Sequence, residues 1–291
     1  MRWLLSRLRT LYRLLRNVPG VAAVADTPFV LRLRRGGRQA TLVQESGRYL
    51  LAALTEPPGI HRYVLRSTGR PVWLRHPGDS WAFEEVLGAA TYALPPEVER
   101  ELATEPLIVD LGANIGMFGA YILAEVPSAT VIGYEPDPGN AILCRKTLGW
   151  AIDAGRYRLV EAAAGAAPGT ASFAAALGGR SHLGEDSGGH TVAVRVEDVL
   201  SVLREADFVK IDIEGGEWPL LEDGRLHGPG PKAIALEYHP WGCAHDDAGQ
   251  AARGLLEDAG YQIVDPPRPF EEGEFTEGMG MLWAVKRFRQ A

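Results

Sequence analysis

Cysteine is scarce in this 291-residue chain: Cys144 and Cys243 stand far apart with no CxxC spacing. That excludes a disulfide framework and gives no zinc signature, and it fits a reducing, cytoplasmic setting. A cationic excess is also missing. The net charge is −7, and an acidic whole repels a phosphate backbone, which argues against nucleic acid as a partner. No uninterrupted apolar run is long enough to cross a bilayer, and no internal repeat or low-complexity tract appears. Hydrophobic residues at 46% and charged residues at 23% leave an ordinary globular protein with a sizeable core.

The first sixteen residues, MRWLLSRLRTLYRLLR, carry five arginines and no acid. They read as a basic amphipathic helix, since arginine interrupts the apolar run too often for a secretory signal. Such a helix packs on its own domain, joins a homodimer, or makes weak contact with an anionic membrane surface. Between residues 28 and 76 the period changes to two. Leu31 and Leu33 alternate with Arg32 and Arg34 before Gly36-Gly37, which predicts a β-hairpin. Arg62 to Arg66 and Pro71 to Leu74, joined through Thr68-Gly69, predict a second. Asp79-Ser80 and Pro95-Pro96 each mark the start of a helix. Residues 1–105 are therefore expected to form a helix and β-hairpin cap.

From there to residue 291, short apolar runs alternate with helical stretches: LIVDL, TVIGYE, YRLVEAA, TVAVRV, FVKIDI, AIALEY, YQIV and MLWAVKR supply the strands. This alternation predicts parallel βαβ units and an α/β, Rossmann-like domain over 106–291. LGGRSHLGEDSGGH, residues 177–190, breaks it and reads as a loop.

Ile108-Val109-Asp110 is an apolar strand that delivers a carboxylate to its end, followed at once by Gly112-Ala113-Asn114-Ile115-Gly116 and an apolar helix. In an open α/β sheet the ligand edge lies at the carboxyl ends of the strands, and glycine there lets backbone approach the ligand. A diphosphate beside Asp110 would be repelled. An α-ammonium group, as at the amino-acid end of S-adenosylmethionine, would suit it. Twenty-five residues on, the next strand ends at Tyr134-Glu135-Pro136, where a carboxylate can accept from ribose hydroxyls.

With VDLGANIGMFG, YEPDP, DFVKIDIEGGEWPLL and ALEYHP in that order, residues 76 to 285 resemble the FkbM family of class I methyltransferases. The resemblance implies a seven-stranded, mostly parallel sheet with helices on both faces and a reversed last strand. It also implies that Asp110, Gly112, Ala113, Asn114 and Gly116 bind the methionine end of S-adenosylmethionine, that Glu135 and Pro136 meet the ribose, and that an AAAG turn around Ala163 borders the adenine. The implied reaction is O-methylation of a small-molecule or glycan-type acceptor: a sugar, a glycolipid or a secondary metabolite.

Lys210, Asp212 and Glu214 alternate along FVKIDIE, so they share one side until the strand ends. Asp212 is a further cofactor-binding candidate, or it forms an ion pair with Lys210; a Lys210–Glu217 pair is the variant of that reading. The catalytic candidates are His239, whose imidazole titrates near neutrality, with Glu214 and Glu237 as carboxylate bases. Glu237 is expected to pair with the His239 ring. No metal is required; a Mg²⁺ ion held by Asp212 and Glu237 is the alternative. The rival functions are a nicotinamide-dependent oxidoreductase, which shares the ribose acid, and a non-catalytic nucleoside-binding protein.

Overall fold

Two compact units divide the chain after Ala90. A computed structural model describes residues 28–175, 182–183, 190–270 and 275–287; the basic helix expected over residues 1–16 lies outside them. Among the described residues no helix is long and apolar enough to cross a membrane.

The first unit runs α1 (Pro28–Gln39), α2 (Ser46–Thr55), β1 (Ile60–Val64), β2 (Pro71–Arg75) and α3 (Ser80–Phe83), with a π-helical turn over Glu84–Gly88. The first expected hairpin is thus a helix. Gly36, read as its turn, instead lets α1 and α2 approach: a Cβ there would lie 2.9 Å from that of Ala53. Alternation of Leu and Arg over four residues was too short a signal to outweigh that contact. The second hairpin is present, with β1 and β2 antiparallel and Ile60 opposite Arg75. Its buried side carries Tyr49, Tyr63, His76 and Phe83. Asp79 makes no side-chain cap to α3; its carboxylate accepts from the Arg75 backbone and guanidinium at 2.7–2.8 Å.

The second unit opens with α4 (Pro96–Glu101), whose proline occupies the first turn as expected. Then follow β3 (Leu107–Leu111), α5 (Met117–Glu125), β4 (Thr130–Tyr134), α6 (Pro138–Asp153), β5 (Tyr157–Val160), β6 (Ala163–Gly165), β7 (Gly169–Ala175), β8 (His182–Leu183) and β9 (His190–Asp198). The chain continues through α7 (Leu200–Leu203), β10 (Phe208–Ile211), α8 (Glu217–Leu221), β11 (Ala233–Tyr238), α9 (Ala248–Asp258), β12 (Tyr261–Val264) and β13 (Gly280–Lys286). Seven strands make the main sheet in the order β12-β13-β11-β10-β3-β4-β5. The contacts between β3, β4, β5, β10 and β11 are parallel, while β13 runs antiparallel to both neighbours. The reversed last strand matches the expectation. All four residues of β10 are buried, as a central parallel strand covered on both faces requires. Phe208 stacks on Trp283 at 5.8 Å to fill one layer of the core.

A second, four-stranded sheet, β6-β9-β7-β8, was not foreseen. It corrects two readings. The AAAG stretch is a strand, not a turn: Ala163 to Gly165 pair with Val196 to Asp198 of β9. The stretch read as a loop over 177–190 contributes β8, which pairs with β7; residues 177–181 and 184–189 lie outside the described set.

Candidate functional site

The loop after β3 is shaped by what it passes. Gly112 has φ +85, and a Cβ there would lie 1.8 Å from the Asp212 carbonyl oxygen, so only glycine lets the loop cross the end of β10. The Gly112 and Ala113 amides both donate to the Tyr134 carbonyl, at 3.1 and 2.9 Å. Asn114 is left-handed at φ +49 and Gly116 at φ +85. The Asn114 amide donates to Glu135 Oε2 at 2.7 Å, and the Asp137 amide donates to Glu135 Oε1 at 2.8 Å across half-buried Pro136. Glu135 therefore ties the β3 loop to the end of β4. Burial pushes its carboxyl up to about 7 against those two amides.

Beside this loop lies a charge triad in which Asp110 and Lys210 are buried and Asp212 is partly exposed. Lys210 stands opposite Asp110 in the parallel register. Its Nζ is 3.4 Å from Asp110 Oδ1 and 3.2 Å from Asp212 Oδ2, and it donates to the Gly112 carbonyl at 2.8 Å. Of the two ion pairs read from the sequence, Lys210–Asp212 is the one that forms. Burial alone would lower the ammonium pKa, but Asp212 and Asp110 carry it above its ordinary value. Asp110, wholly buried, is raised by desolvation and held back by Lys210. Among the described residues neither Asp110 oxygen, nor Asn114 Oδ1, has a hydrogen-bond partner.

The catalytic candidates meet one step further, at the ends of β10 and β11. Past β10 the chain turns through Glu214 at φ +54 and Gly215 at φ +93. Gly215 passes so near Trp241 that a Cβ would lie 2.6 Å from its ring. The turn presents the Gly215 amide to Glu217 Oε2 at 2.9 Å. Glu217 Oε1 accepts from the His239 amide at 2.8 Å and pairs with ring Nδ1 at 3.0 Å. His239 Nε2 then lies 3.6 Å from Glu214 Oε2 and 3.9 Å from Glu237 Oε1. The Tyr92 hydroxyl donates to Glu237 Oε2 at 3.3 Å.

One reading is corrected here: Glu217 serves the histidine rather than Lys210. Glu237, expected to pair with the ring, lies 3.9 Å from Nε2, while Glu217 makes the shorter contact at Nδ1. EGGE already held the signal, because a two-glycine turn can bring a carboxylate back to the amide two residues before it, but its partner past β11 could not be read from spacing. Asp212, Glu214 and His239 are brought together, with Glu237 adjacent. Ala163 packs with Phe173 and Val194.

A seven-stranded sheet with an antiparallel penultimate strand in space, a glycine loop after its first strand and an acid ending the second defines a Rossmann-like α/β protein of the methyltransferase type. The chain matches the methyltransferase FkbM domain over residues 110–263, more than half its length, and belongs to that family. No curated protein matches it. Similar solved structures include a SAM-dependent O-methyltransferase from Thermotoga maritima, with 14% identity, 83% of each chain covered and a TM-score of 0.40. TYW2 from M. jannaschii in complex with AdoMet has 10% identity over 78% of this chain and 86% of that one, with a TM-score of 0.39. A precorrin-6y C5,15-methyltransferase from Geobacter metallireducens has 17% identity over 65% and 86%, with a TM-score of 0.36.

Proposed function

We propose that this FkbM-family methyltransferase takes its methyl group from S-adenosylmethionine and delivers it to a hydroxyl oxygen of a sugar, glycolipid or secondary metabolite. One observation carries the donor reading: Asp110 and Asp212 share the single ammonium of Lys210, so the strand ends hold a negative charge in excess. A sulfonium with an α-ammonium is attracted to that excess. The diphosphate of a nicotinamide dinucleotide is repelled, which disfavours the oxidoreductase reading.

The residues also fit the donor in their hydrogen bonding. Beyond the 3.4 Å Lys210 contact with Asp110 Oδ1, Asp110 and Asn114 offer buried oxygens with no hydrogen bond among the described residues, and an α-ammonium supplies three donors. Asp110 acts on the loop as well, through the Lys210 bond to the Gly112 carbonyl. Each Glu135 oxygen keeps a lone pair beyond its backbone amide for a ribose hydroxyl, with Ala113 and Pro136 flanking it.

S-adenosylmethionine, when bound, supplies a sulfonium methyl whose transfer to oxygen leaves S-adenosylhomocysteine. The chain's own residues align that transfer and take up the hydroxyl proton, at Glu214, Glu237 or His239 Nε2. Calorimetry with S-adenosylhomocysteine and with NAD tests the donor, and single-turnover transfer of labelled methyl to hydroxyl-bearing acceptors tests the reaction. Binding of NAD in preference to S-adenosylhomocysteine would overturn the first; labelled methyl recovered on nitrogen or carbon would overturn the second.

A further inference from the structure

Where β10 and β11 end, ligand atoms of Asp212, Glu214 and His239 all lie within 4.8 Å of one another. Acids gather at many protein surfaces, so the carboxylates alone would carry nothing. The ring adds the independent observation. His239 is fully buried, and its Nε2 has no hydrogen-bond partner among the described residues, although it is aimed between Glu214 and Glu237. A buried polar atom left without a hydrogen bond is costly. Glu217 holds Nδ1 at 3.0 Å, so a ring that gives up its Nε2 proton to a cation presents the Nε2 lone pair, the arrangement that orients a metal-binding histidine.

We infer that Asp212, Glu214 and His239 form a binding site for one divalent first-row transition cation, of the manganese, iron or zinc class. An imidazole among the ligands disfavours Mg²⁺ and Ca²⁺, which prefer oxygen throughout. This differs in both ion and residues from a Mg²⁺ between Asp212 and Glu237. Bonds of about 2.0–2.2 Å to each ligand would draw the three atoms closer together, His239 Nε2 and Glu214 Oε2 starting from 3.6 Å. Asp212 gives one oxygen to Lys210 and keeps the other.

The site has an open side as well as a closed one. The Asp212 and Glu214 side chains are 24% and 15% exposed while His239 is sealed, so remaining coordination positions face outward, toward water or an acceptor hydroxyl. With Nε2 holding the cation, proton acceptance falls to the carboxylates. The assignment does not rest on the identity of the methyl donor.

The test uses the full-length chain, freed of metal by a chelator and titrated with Mn²⁺ while the paramagnetic resonance signal of free ion is followed. One Mn²⁺ per chain should bind, displaced by Zn²⁺ and not by excess Ca²⁺. Glu214→Gln and His239→Gln should each weaken binding about tenfold or more, with unchanged circular dichroism. Glu214 is partly exposed, so its variant keeps the test informative if the histidine variant fails to fold. Absence of Mn²⁺ binding to the wild type overturns the inference and leaves His239 as an imidazolium between Glu217 and Glu214. Undiminished binding by Glu214→Gln overturns it too.

Discussion

Each unit of the chain buries a histidine, and the two are pushed toward opposite protonation states. His76, 7% exposed, meets the Tyr63 hydroxyl at 2.9 Å and the edge of Tyr49 at 5.0 Å. Burial, with His61 beside it, pulls its pKa down to about 4, and Asp79 only partly offsets this. Burial pulls His239 the same way, but the Glu217 hydrogen bond and the Asp212 and Glu214 charges carry it above its ordinary value. Desolvation is common to both. What differs is the company: aromatic, mostly neutral partners make a packing residue, whereas gathered carboxylates keep a buried ring polar and costly, which a fold maintains where chemistry uses it.

The largest effect should separate the two rings by activity. His239→Ala is expected to lower methyl transfer by roughly 10²–10⁴, as lost proton acceptor or lost cation ligand, with S-adenosylhomocysteine affinity little changed. His76→Gln should leave the rate constant near wild type. Single-turnover rates for the two variants side by side decide it, and equal losses would dissolve the distinction.

Next is the charge triad that neighbours His239 and has no counterpart around His76. Asp110→Asn leaves Lys210 with Asp212 alone, and breaking a buried pair typically destabilises by about 3–5 kcal/mol. Affinity for S-adenosylhomocysteine should fall as well. Urea unfolding and calorimetry on one preparation check both; wild-type affinity in a folded variant would remove Asp110 from the donor site. Glu135→Ala should cost less, on the order of 1–3 kcal/mol of donor affinity, as expected for hydrogen bonds to a charged group. That loss should shrink when the ligand lacks ribose hydroxyls.

How much of this was legible depended on whether a feature is local. Asp110, Gly112, Asn114, Gly116 and Glu135 lie in strand–turn–helix units whose grammar is contained in a few residues, and the reversed β13 came with the family resemblance. The Glu217–His239 pair joins the start of a helix to the residue just past β11 through a turn with two positive φ values, and period-two counting has no term for that. Residues 31–43 failed for a related reason. Gly36 answers to Ala53 on another helix, a contact invisible in the local Leu-Arg alternation. Small residues hid the second sheet, since AAAG and GTASFAA lack the bulky β-branched runs that announce strands.

The smallest expected effect belongs to His76 and is a matter of pH. Its folded pKa, about 4, lies below the ordinary 6.5, so the folded unit favours the neutral ring. A depressed pKa contributes stability that is present above the unfolded value and lost as pH falls through the folded one. The window is therefore about 6.5 down to 4, with a magnitude on the order of 1–2 kcal/mol. Protonation would also leave Nε2 able only to donate to the Tyr63 hydroxyl. His76→Gln cannot titrate and keeps a polar group near Tyr63, so its stability should be lower at neutral pH yet flatter across the window. Urea unfolding at pH 7 and pH 4.5, followed by tyrosine environment in the first unit, measures the difference. If the wild type and His76→Gln lose stability in parallel between those two pH values, the acid sensitivity arises from other groups and His76 is not the neutral packing residue that the contrast with His239 requires.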